Sequence, residues 1–393
     1  MPPSELFGLL LSTDKMAAAT SDWAWLKAML RFEAALARVE ARAGTVPAGA
    51  ASAIERCCLD ASSWLDPAAL ARAGRLSGNP AVPLVAELRA RLPEEVARWA
   101  HFGATSQDLL DTATMLVAND ALGLVEADLG ELAGAAAGLA QEHRSTLSVA
   151  RTLLQHAAPT TFGAKAAGWL VAAVEAATSV REARRRRLAV QLGGPAGTLA
   201  GLGPAGPRLV EGLAGELGLL VPPLPWHTDR TRVAELAGAL GRSAGVAAKV
   251  ALDVALLMQT EVGEVREPAA PGRGGSSSLP HKRNPAMAVT VGAAWRLAQG
   301  HVAVLLGAMA QEHQRAAGAW QAEQLAFTEL CRAAGGAVAV TAEMLSGLEV
   351  DPARMAANLQ MSEGLVDARG STGSAELFVD RALSLYQEWR HGA

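Results

Sequence analysis

The 393-residue chain has little cysteine and few aromatic residues, and these shortages argue against several classes of protein. Its three cysteines are Cys57, Cys58 and Cys331, with no pair in a CxxC spacing. This argues against a disulfide framework or a cysteine-based zinc site and favours a reducing, cytoplasmic environment. Residues 1–16 lack the basic start and cleavage site of a signal peptide, which fits the same location.

The chain also lacks an excess of basic residues and a long uninterrupted apolar run. It carries 35 Lys and Arg against 39 Asp and Glu, for a net charge of -4, whereas general nucleic-acid binders are usually basic. The longest uncharged stretch, residues 188–207, is interrupted repeatedly by glycine and proline and cannot cross a membrane. The sequence therefore predicts neither a nucleic-acid nor a membrane partner.

What the chain does contain is alanine and leucine in long segments without proline. Both residues favour helices, whereas proline interrupts them, and no alternating pattern of strands and hairpin turns is present. The proline-free segments predict long helices over residues 94–158, 160–194, 226–267 and 286–351.

Residues 233–265 show the clearest helical periodicity, with a seam of mostly apolar residues repeating every 3.5 positions, which predicts a bundle helix roughly 50 Å long. The seam becomes polar at Glu261 and Glu264, so either the helix end enters solvent or the bundle interior becomes a polar cleft.

We predict an all-α protein with three parts. They are an N-terminal helical domain (1–100), a long central bundle (101–345) and a short C-terminal helical domain (346–393).

The segment with the most chemistry is residues 272–285, which read GRGGSSSLPHKRNP. Glycines and three consecutive serines favour a mobile loop, and the following residues concentrate hydrogen-bond donors and cations. Such a loop can present a hydroxyl and a positive charge to an anion. The alternative is a linker that carries a basic patch by chance.

This loop resembles the signature GSSxMPxKxNP of the fumarase/aspartase superfamily over residues 275–285, with Leu279 in place of Met. Residues 101–112 (HFGATSQDLLDT) and 151–165 (RTLLQHAAPTTFGAK) resemble the first and second conserved regions of the same superfamily. Read alone, residues 105–108 are a helix N-cap, and a capped helix N-terminus is itself an anion site. The resemblance extends over about residues 5–385.

Within the superfamily, the chain is most similar to the bacterial 3-carboxy-cis,cis-muconate cycloisomerases. Leu153 stands where fumarases have the histidine of RTH, and Val289 stands where they have the glutamate that pairs with it. Losing both members of a charged pair, rather than one, indicates a different arrangement for handling protons. The resemblance thus implies closure of 3-carboxy-cis,cis-muconate to a carboxymuconolactone.

The resemblance also implies a site, an assembly and a cofactor requirement. It points to Ser276, with its neighbour Ser277, as the acid-base group, supported by Lys282. His156 competes for that role, because an imidazole ordinarily titrates near neutral pH. The substrate-binding residues implied are His101, Thr105, Ser106, Arg151, Thr152, Gln155, Asn284 and Arg315. We expect a homotetramer that shares its sites between subunits, a small polycarboxylate substrate, no cofactor and no metal.

Two departures from the family pattern keep other functions open. Gln321 and Gln324 replace the His and Trp of a WHAEW pattern, and the chain after Leu365 passes quickly into the segment that ends the C-terminal domain of the family. One alternative is a lyase that eliminates from a substituted succinate, such as a nitro- or nitrososuccinate. Another is a structural homologue without catalysis.

Overall fold

The computed structural model describes residues 5–275, 279, 282–361 and 371–392, and over these ranges the chain is predominantly helical. The helices are α1 (Glu5–Gly8), α2 (Asp14–Ala19), α3 (Asp22–Arg42), α4 (Ala48–Leu59), α5 (Pro67–Gly74), α6 (Ala81–Ala90), α7 (Glu94–Ala97), α8 (Ser106–Glu142), α9 (Phe162–Arg187), α10 (Gly206–Leu217), α11 (Thr231–Leu257), α12 (Ala286–Gly307), α13 (Ala319–Ser346), α14 (Pro352–Gln360) and α15 (Ala375–His391). The all-α prediction is confirmed.

Within the described residues, two short antiparallel strand pairs accompany the helices, although no strand pattern is evident in the sequence. β1 (Leu147–Thr152) pairs with β2 (Gln155–Thr161) as a hairpin between α8 and α9. β3 (Val265–Arg266) pairs with β4 (Glu349–Val350). The hairpin coincides with the second conserved region, where Val149, Thr160 and Thr161 supply the β-branched residues that suit a strand.

The central bundle consists of α8, α9, α11, α12 and α13, which pack along one another around a core rich in alanine, leucine and valine. Small alanine side chains allow close approach of the helices. α8, α11 and α13 run in one direction, because Asp111 near the start of α8 contacts Arg230 just before α11, and Arg230 contacts Glu323 near the start of α13. We call this end of the bundle the Thr105 end.

The opposite end of the bundle carries the β1–β2 hairpin and the connection between α11 and α12, and we call it the hairpin end. There Arg151 of β1 binds Glu264, which follows α11. The N-terminal part forms a second core, in which α3 packs against α4, α8 and α10. In the C-terminal part, α15 packs against α8 and α9. The two boundaries between the three predicted domains remain predictions.

The helices end earlier than the proline-free segments predict: α8 ends at Glu142 and α9 at Arg187, rather than near residues 158 and 194. α11 ends at Leu257, so Glu261 and Glu264 lie beyond it; Glu261 is exposed, whereas Glu264 is fully buried against Arg151. The polar interpretation of the seam therefore holds for Glu264 only. The segment 286–351 contains two helices, α12 and α13, with a break at 308–318 where glycine rather than proline separates them.

In the part of the chain that the structure describes, two helices, α12 and α13, are long and apolar enough to cross a membrane by length and composition alone. α13 is mostly buried in the bundle, as a core helix of a globular protein is. α12 is much less buried and exposes Val289, Leu297 and Val304 on one side. The fold of one chain thus leaves an apolar helix face uncovered.

Helix α3 buries two carboxyl groups, Glu33 and Glu40, in the N-terminal core. Glu40 is 0% exposed, and neither of its side-chain oxygens has a hydrogen-bond partner among the described residues. Burial, with a smaller contribution from the negative charge of Glu33, raises the pKa of Glu40 to about 9. Glu40 is therefore protonated in the folded chain at neutral pH.

Replacing Glu40 by glutamine should raise stability relative to the wild type increasingly as the pH rises from 5 to 8. The pKa of Glu40 is about 9 in the folded chain against 4.5 ordinarily, so its contribution to stability is full below pH 4.5 and is lost as the pH rises toward 9. We expect the difference in unfolding free energy to change by about 4 kcal/mol over this window, at about 1.4 kcal/mol per pH unit. Urea denaturation at both pH values measures it. The exposed Glu95→Gln should show no such trend.

Candidate active site

The N-terminus of α8 forms the first half of the candidate site. Thr105 is its N-cap, and the carboxylate of Asp108 accepts a hydrogen bond from the Thr105 N–H at 3.0 Å, completing a capping box. The sequence prediction of an N-cap over residues 105–108 is confirmed. Ser106 is the first residue of the helix. The first N–H groups of a helix lack intrahelical acceptors and carry partial positive charge, so this terminus favours an anion.

Arg315, from the connection between α12 and α13, reaches this helix start. Its Nη2 donates to the Thr105 hydroxyl oxygen at 3.1 Å. Its Nη1 is buried, yet it has no hydrogen-bond partner among the described residues. A buried, unpaired guanidinium nitrogen is costly, and a carboxylate ligand would satisfy it. Two residues predicted separately to bind substrate are thus brought together.

One carboxylate, that of Asp108, holds three separate segments around the start of α8. Besides Thr105, it accepts hydrogen bonds from the N–H groups of Gly193 and Gly194 at 2.9 Å each. Its Oδ1 also lies 2.7 Å from Nε2 of His227. Asp108 is fully buried, so these contacts are shielded from water. The position of Thr105 therefore depends on Asp108.

One turn further along α8, Asp111 anchors a second buried network. Both terminal nitrogens of Arg230 donate to Asp111 at 2.9 and 3.0 Å, and the indole of Trp320 donates to it at 3.0 Å. Arg230 also binds Glu323 on α13. Burial raises the pKa of Glu323, partly offset by Arg230. This network fixes α8, α13 and the segment before α11 relative to one another.

His101 lies four residues before Thr105 and pairs with a buried carboxylate. Its Nδ1 is 2.6 Å from Oε1 of Glu33 on α3. The backbone of His101 has φ 57°, a left-handed conformation that is uncommon outside glycine. The structure thus places His101 at the Thr105 end, beside the loop that leads into α8.

The second half of the candidate site lies at the hairpin end. Arg151 donates from Nη2 and Nη1 to the two oxygens of Glu264 at 2.7 and 3.1 Å. Asn358 of α14 donates to the same carboxylate at 2.7 Å. Because both terminal nitrogens of Arg151 are bound by Glu264, its contact to substrate remains a prediction. Its observed role is to anchor β1 to the segment after α11.

The tip of the β1–β2 hairpin presents the remaining residues of the second conserved region. Thr152 and Gln155 flank the turn and are exposed, and His156 lies opposite Arg151 in the register. The turn itself consists of Leu153 and Leu154, with φ 50° and 66° and exposures of 96% and 72%. Two leucines in a left-handed turn store roughly 1–2 kcal/mol each of backbone strain. Strain of this kind, with exposed apolar side chains, is typical of functional segments.

The Gly/Ser loop also belongs to the hairpin end. Its two sides meet where the N–H of Asn284 donates to the carbonyl of Gly274 at 2.8 Å, and a side chain at Gly274 would collide with the Asn284 carbonyl. Lys282 is exposed. The predicted acid-base residues Ser276 and Ser277 lie outside the described residues.

The predicted site residues therefore form two groups within one chain. His101, Thr105, Ser106 and Arg315 lie at the Thr105 end, whereas Arg151, Thr152, Gln155, His156, Lys282 and Asn284 lie at the hairpin end. The 37-residue helix α8 runs between the two ends and is about 55 Å long at 1.5 Å per residue. A small molecule cannot contact both groups of the same chain at once.

Several residues that build the site were not identified from the sequence. The sequence identifies Asp108 only as part of an N-cap, and Glu33 lies on α3, outside the three conserved regions. Asp111 lies within the first conserved region and Glu323 within the segment that departs from the WHAEW pattern, so these motifs were the available signal. The departures Gln321 and Gln324 line a separate cavity of about 360 Å³ that includes none of the predicted substrate-binding residues.

Comparison with known proteins identifies the family. A family model described as Lyase matches residues 10–297. A 3-carboxy-cis,cis-muconate cycloisomerase of Bradyrhizobium diazoefficiens is 46% identical over 372 residues, which are 94% of this chain and 82% of that protein. The chain belongs to the lyase family. This confirms the assignment to the fumarase/aspartase superfamily that the three motifs predict.

Two further relatives show how the lyase family has diversified around this fold. A nitrosuccinate lyase of Streptomyces davaonensis is 48% identical over 366 residues, covering 89% of this chain and 75% of that protein. The crystal structure of 3-carboxy-cis,cis-muconate lactonizing enzyme from Pseudomonas putida superposes with a TM-score of 0.91 at 38% identity, covering 98% of this chain and all of that one. The predicted fold of this lyase is thereby confirmed.

Metal binding was not predicted for this lyase, and the absence of a metal remains a prediction. Over residues 5–275, 279, 282–361 and 371–392, no group of three or more His, Cys, Asp or Glu side chains is placed to hold a metal ion.

Replacing Asp108 by asparagine should destabilise the chain and loosen the Thr105 end. The change removes the charge that pairs with His227 and leaves one of the Gly193 and Gly194 N–H groups facing an amide donor. We expect a loss of about 2–4 kcal/mol in unfolding free energy, measured by urea denaturation. Asp120→Asn, on the exposed side of the same helix, is the matched control; an equal effect of both variants would contradict the assigned role.

Proposed function

We propose that this lyase closes 3-carboxy-cis,cis-muconate to a carboxymuconolactone. The observation that carries the proposal is the anion site formed by Arg315, Thr105 and the N-terminus of α8, with its unpaired buried guanidinium nitrogen. It occurs in a chain 46% identical to a cycloisomerase of that name. A substrate with three carboxylates matches a site built from several cationic and donor groups.

The reaction joins one carboxylate of the substrate to a conjugated double bond. A carboxylate at the other end of the conjugated system receives the displaced charge and becomes an aci-carboxylate, and a proton is then delivered to carbon. In reverse, the same path is proton abstraction beside a carboxylate followed by loss of an oxygen leaving group. It is the elimination chemistry of lyases, which supports placing both reactions on one scaffold.

Two roles follow for the side chains of the proposed site. Donors and cations must stabilise the aci-carboxylate, and we assign this role to Thr105, Ser106, Thr152, Arg315, Lys282 and Asn284. An acid-base group must lie near the carbon that receives the proton. Ser276, with Ser277 beside it, and His156 remain the two candidates, and a serine would need Lys282 and loop amides to stabilise its alkoxide.

We further propose that the lyase is a homotetramer in which each site combines residues from different chains. The roughly 55 Å length of α8 keeps the two groups of site residues apart in one chain, so a neighbouring chain must supply one of them. A twofold axis across the bundle brings the Thr105 end of one chain beside the hairpin end of another. The uncovered apolar face of α12 supports helix-to-helix assembly of this kind.

A cytoplasmic location also remains part of the proposal. Cys57, Cys58 and Cys331 are all free thiols in the structure. Burial raises the pKa of the Cys57 thiol, as it does for Cys58 and Cys331. Thiols of this kind are ordinary in a reducing compartment.

A second candidate function is elimination from nitrosuccinate, which the 48% identity to a nitrosuccinate lyase favours. The same anion site would bind the two carboxylates of that substrate. Leu153 and Val289, both apolar, do not separate the two functions, since neither takes part in proton transfer in the proposal.

One assay separates the candidate functions. Purified protein is mixed with 3-carboxy-cis,cis-muconate, and the loss of conjugated-diene absorbance is followed; nitrosuccinate is tested in parallel by release of its leaving group. We expect turnover of the muconate and no more than a trace with nitrosuccinate. The reverse preference would reassign the lyase, and no turnover of either compound would favour a structural homologue without catalysis.

Shared sites predict complementation between two inactive variants. Arg315→Ala removes a group at the Thr105 end and Lys282→Ala one at the hairpin end, so each variant alone should lose at least about 99% of the activity. Unfolding and refolding them together at equal amounts should restore about a quarter of the wild-type rate, because that fraction of sites draws both intact residues from different chains. No recovery would place both residues in a site formed by one chain.

A further inference from the structure

Glu33 is an acidic side chain in the apolar N-terminal core, and packing of that core does not account for its presence. It lies inside α3, it is 1% exposed, and apolar residues of the N-terminal core surround it. Among the described residues its one hydrogen bond goes to His101, while its second oxygen, Oε2, has no partner. Burying a carboxylate that has a single hydrogen-bond partner costs free energy. The interaction of Glu33 with His101 therefore needs a functional explanation.

His101 is held in a strained conformation from two sides. Glu33 lies 2.6 Å from its Nδ1, and Arg89 on α6 donates to the carbonyl of the preceding residue, Ala100, at 2.8 Å. A non-glycine residue at φ 57° persists only where its surroundings hold it. Its Nε2 makes no hydrogen bond to any described part of the chain and is available to a ligand.

Three charged groups act on the His101 ring, one from each element packed around it. Burial lowers the pKa of His101, but Glu33 of α3 raises it more, Asp108 of α8 raises it slightly, and Arg89 of α6 lowers it slightly. The net shift is upward, so the ring tends to be charged at a pH where a buried histidine without Glu33 would be neutral.

We propose that Glu33 is a positioning residue that orients His101 and keeps its positive charge, so that Nε2 binds one carboxylate of a tricarboxylate ligand. The inference rests on the proposed function and deepens it. Arg315, the α8 N-terminus at Thr105, and His101 together supply three anion-binding groups at the Thr105 end. In this proposal a dicarboxylate occupies Arg315 and the α8 N-terminus, which are in contact through Thr105, and leaves His101 unused, so that His101 distinguishes tricarboxylates from dicarboxylates.

The chain offers a matched control for Glu33 on the same helix. Glu40 lies seven residues further along α3, is equally buried, and makes no contact with His101. Glu33→Gln and Glu40→Gln both replace a carboxyl group by an amide in the same core, and because Glu40 is protonated at neutral pH, Glu40→Gln controls for packing rather than for the loss of a charge. A difference between them reports on His101 rather than on the general packing of α3.

The test is binding of the unreactive tricarboxylate tricarballylate, measured by calorimetry on the intact protein at pH 6.0 and 7.5, with glutarate as the dicarboxylate. Glu33→Gln should bind tricarballylate about tenfold more weakly than wild type at pH 7.5, and the ratio should shrink at pH 6.0 as the ring is protonated. Its glutarate affinity should match wild type. Glu40→Gln should match wild type with both ligands.

A second variant keeps the test decisive if Glu33→Gln does not fold. His101→Asn tolerates the left-handed backbone and should show the same tenfold loss for tricarballylate at pH 7.5. An equal loss for Glu33→Gln at both pH values, or the same loss in Glu40→Gln, would overturn the inference, as would a wild type that does not bind tricarballylate. A wild type that binds tricarballylate but turns over neither substrate would instead overturn the proposed function and leave Glu33 in its role.

Discussion

The length and rigidity of α8 constrain everything else about the site. The helix begins at the proposed anion site and ends just before the hairpin that carries the second conserved region. Because both functional segments are attached to one stiff rod, they cannot fold back onto each other. In the proposed tetramer, catalysis depends on how the chains associate, and the exposed face of α12 is a surface on which another chain would pack.

Buried carboxylates maintain the Thr105 end of that rod. Asp108 gathers two glycine N–H groups and His227 around the helix start, and Asp111 does the same for Arg230 and Trp320. Neither network is expected to add much net stability compared with apolar packing. The two networks instead hold the side chains and the helix start in position, because a helix N-terminus and an arginine recognise an anion well only when both are held in place.

Much of this architecture could be predicted from the sequence. Proline-free, alanine-rich segments predict the bundle helices, the seam over residues 233–257 matches the buried side of α11, and the motif order identifies the superfamily. The β1–β2 hairpin was not predicted, because its strands are only six and seven residues long and their side chains do not alternate between buried and exposed. The break at 308–318 was not predicted, because α12 ends at Gly307 and α13 begins after Gly318, and no proline marks either position.

The candidate site was harder to predict than the fold, for a physical reason. Motifs report residues that lie close together along the chain, whereas the groups that tune them come from elsewhere. Glu33 is 68 positions from His101, and Glu264 is 113 positions from Arg151. No local pattern marks such pairs, since a glutamate in an amphipathic helix ordinarily faces water.

The strained Leu153–Leu154 turn has a consequence for how this lyase can evolve. Two large apolar side chains lie at the tip of the hairpin, and neither belongs to the hydrophobic cores of the chain. The base of the hairpin is held by the backbone hydrogen bonds between β1 and β2. In the proposed tetramer, exchanging these two residues would change the surface that one chain offers to the site of its neighbour without disturbing the folding of the chain that donates them. That assembly would let new substrate preferences arise at the turn with little risk to the scaffold.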